Sequence, residues 1–149
     1  MKKFEKQIEV RWSDCDSNGH VCHSKYYEYG AHSRIRFFDA CGYGATEMKQ
    51  LNFGPILFKE ECSFIREIRP DDTIRVNLLK GNISEDGSRW VLHHEIFSQD
   101  GEKSAHITIK GAWMNLNLRK LTVPPVEMAR ALHGLPLGEN YVYRKKSNG

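Results

Sequence analysis

No stretch of this chain is apolar over the roughly 18 residues that a membrane span requires. The opening Met1-Lys2-Lys3-Phe4-Glu5-Lys6-Gln7 also lacks the apolar core of a signal peptide, so a cytoplasmic protein is expected. Its four cysteines (Cys15, Cys22, Cys41 and Cys62) follow no regular spacing, which argues against a disulfide framework and for free thiols. Nor does one charge dominate. There are 22 Lys and Arg against 19 Asp and Glu, a net of +3, and part of that excess lies in Arg144-Lys145-Lys146. Scattered basic residues speak against a nucleic-acid-binding face, and the terminal run reads first as a solvated tail and second as a contact for an anion. Repeats, low-complexity tracts and linkers are missing too. What remains, 149 residues with 40% hydrophobic and 28% charged, suits one folded domain over 1–149 with a basic tail from about 140.

The densest chemistry lies in Asp14-Cys15-Asp16-Ser17-Asn18-Gly19-His20-Val21-Cys22-His23-Ser24-Lys25-Tyr26. Before it, Ile8, Val10 and Trp12 alternate with Glu9 and Arg11, the period of a half-buried strand. After it, Ser24 is a candidate N-cap for a helix from Tyr26 to Cys41, about four turns long, with stop signals at Gly42 and Gly44. Tyr26, Tyr29, Ile35, Phe37 and Phe38 do not fit one narrow stripe, so the helix is expected to be surrounded. Gly30, Ala31 and Ser33 would let a sheet come close. Strands are expected over 57–66, 73–79, 89–98 and 105–116, separated by the turn Arg69-Pro70-Asp71-Asp72 and by Asp86-Gly87 and Asp100-Gly101. A short helix should open at Pro124-Pro125 and run through Leu132. One long helix followed by four successive strands is an α+β order, with an antiparallel sheet curling around the helix.

The pattern Asp16-x-x-Gly19-x-Val21-x-His23-x-x-Tyr26, with Tyr29 and Arg34 further along, resembles the hot-dog-fold acyl-CoA thioesterases. Within them it is most similar to the 4-hydroxybenzoyl-CoA thioesterases and their Tol–Pal-associated acyl-CoA thioesterase relatives. The resemblance spans roughly residues 5 to 125, including Ile68-Arg69-Pro70-Asp71-Asp72 before a strand. It implies a five- or six-stranded sheet around a central helix, and homodimers, often paired into tetramers, with active sites at the dimer interface. It also implies that Asp16 is the catalytic carboxylate, that the His23 N–H polarises the thioester carbonyl, and that Gly19 permits a tight turn. The sequence departs from the pattern where many relatives have two asparagines and this chain has Cys22 and His23, and at Gly30, Ala31 and His32.

Each candidate has a plainer alternative. Asp16 could cap the helix rather than attack a thioester or activate water, although one carboxylate suffices for either chemistry. Asp14, two residues earlier, is expected at the surface or in a turn. His20 and His23 could assist the leaving thiolate or merely bind or pack, with His23 the better candidate. Gly19, His20, Val21, Tyr26 and Tyr29 are candidate substrate contacts, the two tyrosines equally being core. His93 and His94 should face opposite sides of a sheet as structural residues. Glu28 is a reserve acid. Cys15, His20, Cys22 and His23 lack a second pair at zinc spacing, so no metal is expected, and hydrolysis calls for no cofactor beyond water. Lys59, Arg66, Arg89 and Arg144 are candidates for coenzyme A phosphates, none distinguished. The leading expectation is hydrolysis of a short-to-medium or aromatic acyl-CoA. The alternatives are an acyl carrier protein thioester, a hydratase or dehydratase, and a non-catalytic acyl-CoA-binding domain. The hydratase signature Asp-x-Asn-Pro-x-His is out of register here, with Gly19 in place of proline. An unpartnered acid near a thioester would be costly in a mere binder.

Overall fold

The computed structural model describes residues 3–140. Arg144 and the rest of the basic tail from 141 lie outside them. Strand β1 covers Phe4–Glu9 and a single 3-10 turn covers Trp12–Asp14. Helices α1 (His23–Ala40) and α2 (Ala45–Gln50) follow, then strands β2 (Phe53–Phe64), β3 (Thr73–Ile83), β4 (Arg89–Phe97) and β5 (Lys103–Asn115). A two-residue β6 (Leu121–Thr122) and helix α3 (Val126–His133) complete the order. The strands form one antiparallel sheet in the order β1-β3-β4-β5-β2, with β6 added to the end of β5. This is the expected curved sheet with one long helix, the hot-dog arrangement.

The strands alternate as their period requires. Ile74, Val76 and Leu78 on β3, Trp90, Leu92 and Ile96 on β4, and Ala105, Ile107 and Ile109 on β5 are all buried. Each large side chain among them contributes about 1.5–3 kcal/mol by leaving water. Against this face lies α1, burying Tyr26, Tyr29, Gly30, Ser33, Arg34, Phe37 and Phe38. Those positions recur at three and four residues, so the helix has a single buried stripe, contrary to the surrounded helix expected; Ile35 is 41% exposed. The small residues act as expected. A Cβ on Gly30 would meet the His94 ring at 3.0 Å, and the Ser33 hydroxyl donates to the Val76 carbonyl at 3.2 Å.

Both ends of α1 differ in detail from the sequence reading. The N-cap is Cys22, and Ser24 lies inside the first turn. At the other end Gly42 has φ 90°, and the Tyr43 and Gly42 N–H groups donate to the carbonyls of Phe38 and Asp39. That is a Schellman stop, and only a glycine takes its left-handed position without strain. Gly44 stops nothing; it begins α2. The first strand ends at Glu9, so Trp12 falls in the 3-10 turn and is 88% exposed rather than half-buried on a strand.

Candidate active site

The chain leaves the 3-10 turn into a closed loop. Cys15 and Val21 form an antiparallel bridge, the Asp16 N–H donates to the His20 carbonyl at 2.8 Å, and the Gly19 N–H returns to the Asp16 carbonyl at 3.1 Å. Gly19 has φ 79°, the conformation such a turn demands and other residues resist. The Val21 N–H donates to the Ile68 carbonyl at 3.0 Å, which pins the loop to the segment following β2. His20 reaches Glu67 on that segment, Nε2 to Oε2 2.6 Å.

Asp16 is exposed at the tip of this loop. Its Oδ1 accepts the Asn18 N–H at 2.9 Å, and Oδ2 has no hydrogen-bond donor among the described residues. The carboxylate therefore fixes its own turn and not the helix, since no side chain caps α1. It lies close enough to act electrostatically on the Cys22 thiol and the Tyr26 hydroxyl. At the helix start the Lys25 N–H turns back to the Cys22 carbonyl at 2.9 Å. The Ser24 hydroxyl, 3.5 Å from the Cys22 sulfur, and the Ser24 N–H draw that thiol below its usual value. The His23 N–H, first in the helix, has no acceptor among the described residues. An acid with a free oxygen thus borders a helix start with an open donor, and helix starts favour negative charge.

Other residues singled out from the sequence fall nearby with different tasks. The exposed His23 ring has only the Cys22 sulfur near its Nδ1, at 4.0 Å. Val21 is core, and Tyr26 is buried with its ring edge-on to Phe64 at 4.9 Å. Burial raises the Tyr26 hydroxyl pKa, partly offset by a hydrogen bond to the Ile68 backbone. Tyr29 is buried and its hydroxyl donates to Asp14. Glu28 points outward to Lys25 at 3.0 Å.

Asp14 corrects an expectation. It is not a surface residue but 1% exposed, because the 3-10 turn breaks the strand period and rotates its side chain inward. Its carboxylate accepts from Tyr29 Oη at 2.7 Å, from the Arg11 N–H at 3.1 Å and from the Arg11 guanidinium at 3.4 Å. Burial alone would raise its pKa, but these donors outweigh burial and hold it below the usual carboxylate value.

Sequence reasoning missed a second buried contact. His94 Nδ1 donates to the Asn77 carbonyl at 2.7 Å, so its Nε2 is the acceptor that receives Arg34 Nη1 at 2.9 Å. Burial first, then the Arg34 charge, lowers the His94 pKa to about 3, leaving the ring neutral. His93 faces the other side of the sheet, bonded to Thr108 at 3.0 Å and to His106 at 3.2 Å, as expected of structural histidines. No three His, Cys, Asp or Glu side chains among the described residues gather around a point where a metal ion would fit. No helix among them is long and apolar enough to cross a membrane. A cavity of about 840 Å³ opens between Ile65–Asp72 and Ser98–Asp100; Glu67 lines it and Asp16 does not.

Comparison with known proteins follows the same lines. The sequence profile of the thioesterase-like superfamily matches residues 10–132. A Staphylococcus aureus protein solved in complex with CoA superposes with a TM-score of 0.82 at 17% identity, covering 97% of this chain and 90% of that one. A 1,4-dihydroxy-2-naphthoyl-CoA thioesterase from Synechocystis gives 0.79 at 18% identity, over 90% of this chain and 98% of the other. A gentisyl-coenzyme A thioesterase gives 0.76 at 19% identity, over 86% and 98%. At such identities the likeness is one of fold. No curated protein matches the sequence.

Proposed function

The chain belongs to the thioesterase-like superfamily, which makes it a thioester hydrolase, and we propose that it cleaves an acyl-CoA with Asp16 as its catalytic carboxylate. The observation that carries this reading is the pairing of an exposed acid, one oxygen of which is free, with the unpartnered His23 N–H at the start of α1. The carbonyl oxygen of the thioester accepts that N–H. Asp16 either attacks the carbonyl carbon, giving an anhydride that water opens, or takes a proton from the attacking water. In both routes the C–S bond breaks, the carboxylic acid and CoA thiol are released, and no cofactor enters. Donors aimed at such an oxyanion typically contribute about 2.7–4 kcal/mol each to lowering the barrier. Gly19, His20, Val21 and Tyr26 shape the loop against the substrate, and the His23 ring protonates the leaving thiolate.

The neighbour holding CoA and the two CoA thioesterases favour a CoA ester over a carrier-protein ester, and the acyl group is short-to-medium or aromatic. An acyl-CoA substrate also suits a cytoplasmic enzyme. The motif from Asp16 to Tyr26 supports the 4-hydroxybenzoyl-CoA and Tol–Pal-associated branch. Homodimers are supported by β2, a long sheet-edge strand with Leu57, Phe58 and Phe64 exposed by 42%, 54% and 51%. Such an edge is a template for another strand. Thiol release from short, medium, long and aromatic acyl-CoAs tests the assignment. Wild type should turn over at least one ester, and Asp16→Asn should lose about 10²–10⁴-fold in kcat with its circular dichroism intact. A wild type silent on every CoA ester refutes the substrate class; activity surviving in Asp16→Asn removes that acid and points to Glu28.

A further inference from the structure

The Asp14 carboxylate is the most fully engaged polar group near the loop, and none of the chemistry above uses it. Its main-chain carbonyl accepts the N–H of Cys22, the N-cap of α1, at 2.8 Å. Its side chain accepts the Tyr29 hydroxyl, donated from two turns further along the same helix, and the N–H of Arg11, just before the 3-10 turn. One residue therefore ties together three things: the chain leaving β1, the N-cap of the helix, and the buried stripe of that helix. Asp16 lies two residues beyond this tie, and the His23 N–H one residue beyond Cys22. The distance between acid and oxyanion donor is thus set across a junction that Asp14 clamps on both sides.

We propose that Asp14 and Tyr29 are a pair of positioning residues that hold the Asp16 loop in register with the start of α1. This inference rests on the thioesterase reading for its kinetic consequence, but the clamp itself is a statement about geometry. The pair does not touch the reacting atoms. The bond is charge-assisted and buried, so it is short and directional where a solvated aspartate would swing freely. Misplacing a reactive group by about 1 Å costs on the order of 10²-fold in rate. Deleting only the Tyr29 hydroxyl should accordingly reduce turnover while the ring stays packed.

The test compares Tyr29→Phe, Asp14→Asn, Asp14→Ala and the double variant Asp14→Asn/Tyr29→Phe. Tyr29→Phe is expected to lose about 10–100-fold in kcat with KM within about twofold of wild type. Asp14→Asn, which keeps an acceptor for Tyr29, should retain more activity than Asp14→Ala. The double variant should be no worse than the poorer single, because the two groups act as one. A second readout needs no thioester: iodoacetamide labelling of Cys22, mapped by mass spectrometry. Its rate in Tyr29→Phe should change severalfold, since Cys22 hangs from the Asp14 carbonyl. Cys62, whose thiol burial pushes up to about 12, should stay protected and so report an intact fold. Wild-type kcat and wild-type Cys22 labelling in Tyr29→Phe would overturn the proposal, as would kcat loss accompanied by Cys62 labelling. If wild type hydrolyses no acyl-CoA, the functional reading fails, and Cys22 labelling alone decides whether the clamp exists.

Discussion

On β4 and β5, His93, His94 and His106 are 1%, 0% and 4% exposed, and each is bonded to a neighbour on another strand or on α1. In the loop before α1, Asp16 is exposed with one oxygen that has no donor among the described residues, and the first N–H of the helix has no acceptor among them. Both regions concentrate titratable groups, but one has spent its polar capacity internally and the other has kept it open. The difference separates structural polarity from chemical readiness. A bonded, buried imidazole secures the sheet and resists taking up a second proton. An acid secured by one oxygen alone leaves the other open.

The sharpest way to break this contrast is to exchange its consequences. Asp16→Asn should remove activity yet move stability by no more than about 0.5 kcal/mol, because its side chain is solvated. A large drop in thermal midpoint would place Asp16 with the structural groups. Acid should act on the other region. Burial lowers the pKa of all three histidines, His94 to about 3 and His106 to about 4. Below about pH 6.5 the unfolded chain takes up protons on these histidines more readily than the native one does. Their contribution is therefore complete above pH 6.5 and falls as pH drops towards 4, by up to about 1.4 kcal/mol per histidine per pH unit. Urea unfolding at pH 7 and pH 5 measures this, and equal midpoints would contradict it. Asp14, whose pKa is lowered, contributes in full above its unfolded value of 3.8 and loses that contribution as pH falls from there through its lowered folded value, a lower window than that of the histidines.

Smaller effects sharpen the comparison further. Arg34→Leu leaves the His94 Nε2 buried without its donor and should cost about 1–3 kcal/mol, with activity per folded molecule preserved. Gly111→Ala should cost a similar 1–3 kcal/mol, since a Cβ there overlaps the Trp90 ring and comes within 2.7 Å of the Ile56 carbonyl. Both are read by denaturant midpoint. The smallest effect is expected for His20→Gln, whose partner Glu67 is 64% exposed. That pair should contribute under about 1 kcal/mol and weaken with salt, as a double-mutant cycle would register.

Much of the fold could be read directly. Alternating apolar residues mark β3, β4 and β5, and the Asp-Gly pairs fall at turns where Gly87 and Gly101 have φ of 76° and 86°. The loop carrying Asp16 was legible because its parts are contiguous: the turn closed by the Cys15–Val21 bridge holds the acid and the glycine directly before the helix start. The position of Asp14 does not follow from the alternation of Ile8 and Val10, because the strand ends at Glu9. One 3-10 turn is enough to send a side chain inward instead of outward.

The long helix, the four long strands after it and the loop between β1 and α1 follow from local pattern, because these depend on neighbours within a few residues; α2 and the two-residue β6 carry no such pattern and were not expected. Which of two nearby aspartates is buried, what the Tyr29 hydroxyl holds and how Arg34 meets His94 were decided by tertiary structure alone. Tyr29 is 15 residues from Asp14 and Arg34 is 60 from His94. Their bonds exist only after the helix has docked on the sheet. Burial makes them necessary, since a polar group removed from water must find a partner wherever the folded chain has placed one.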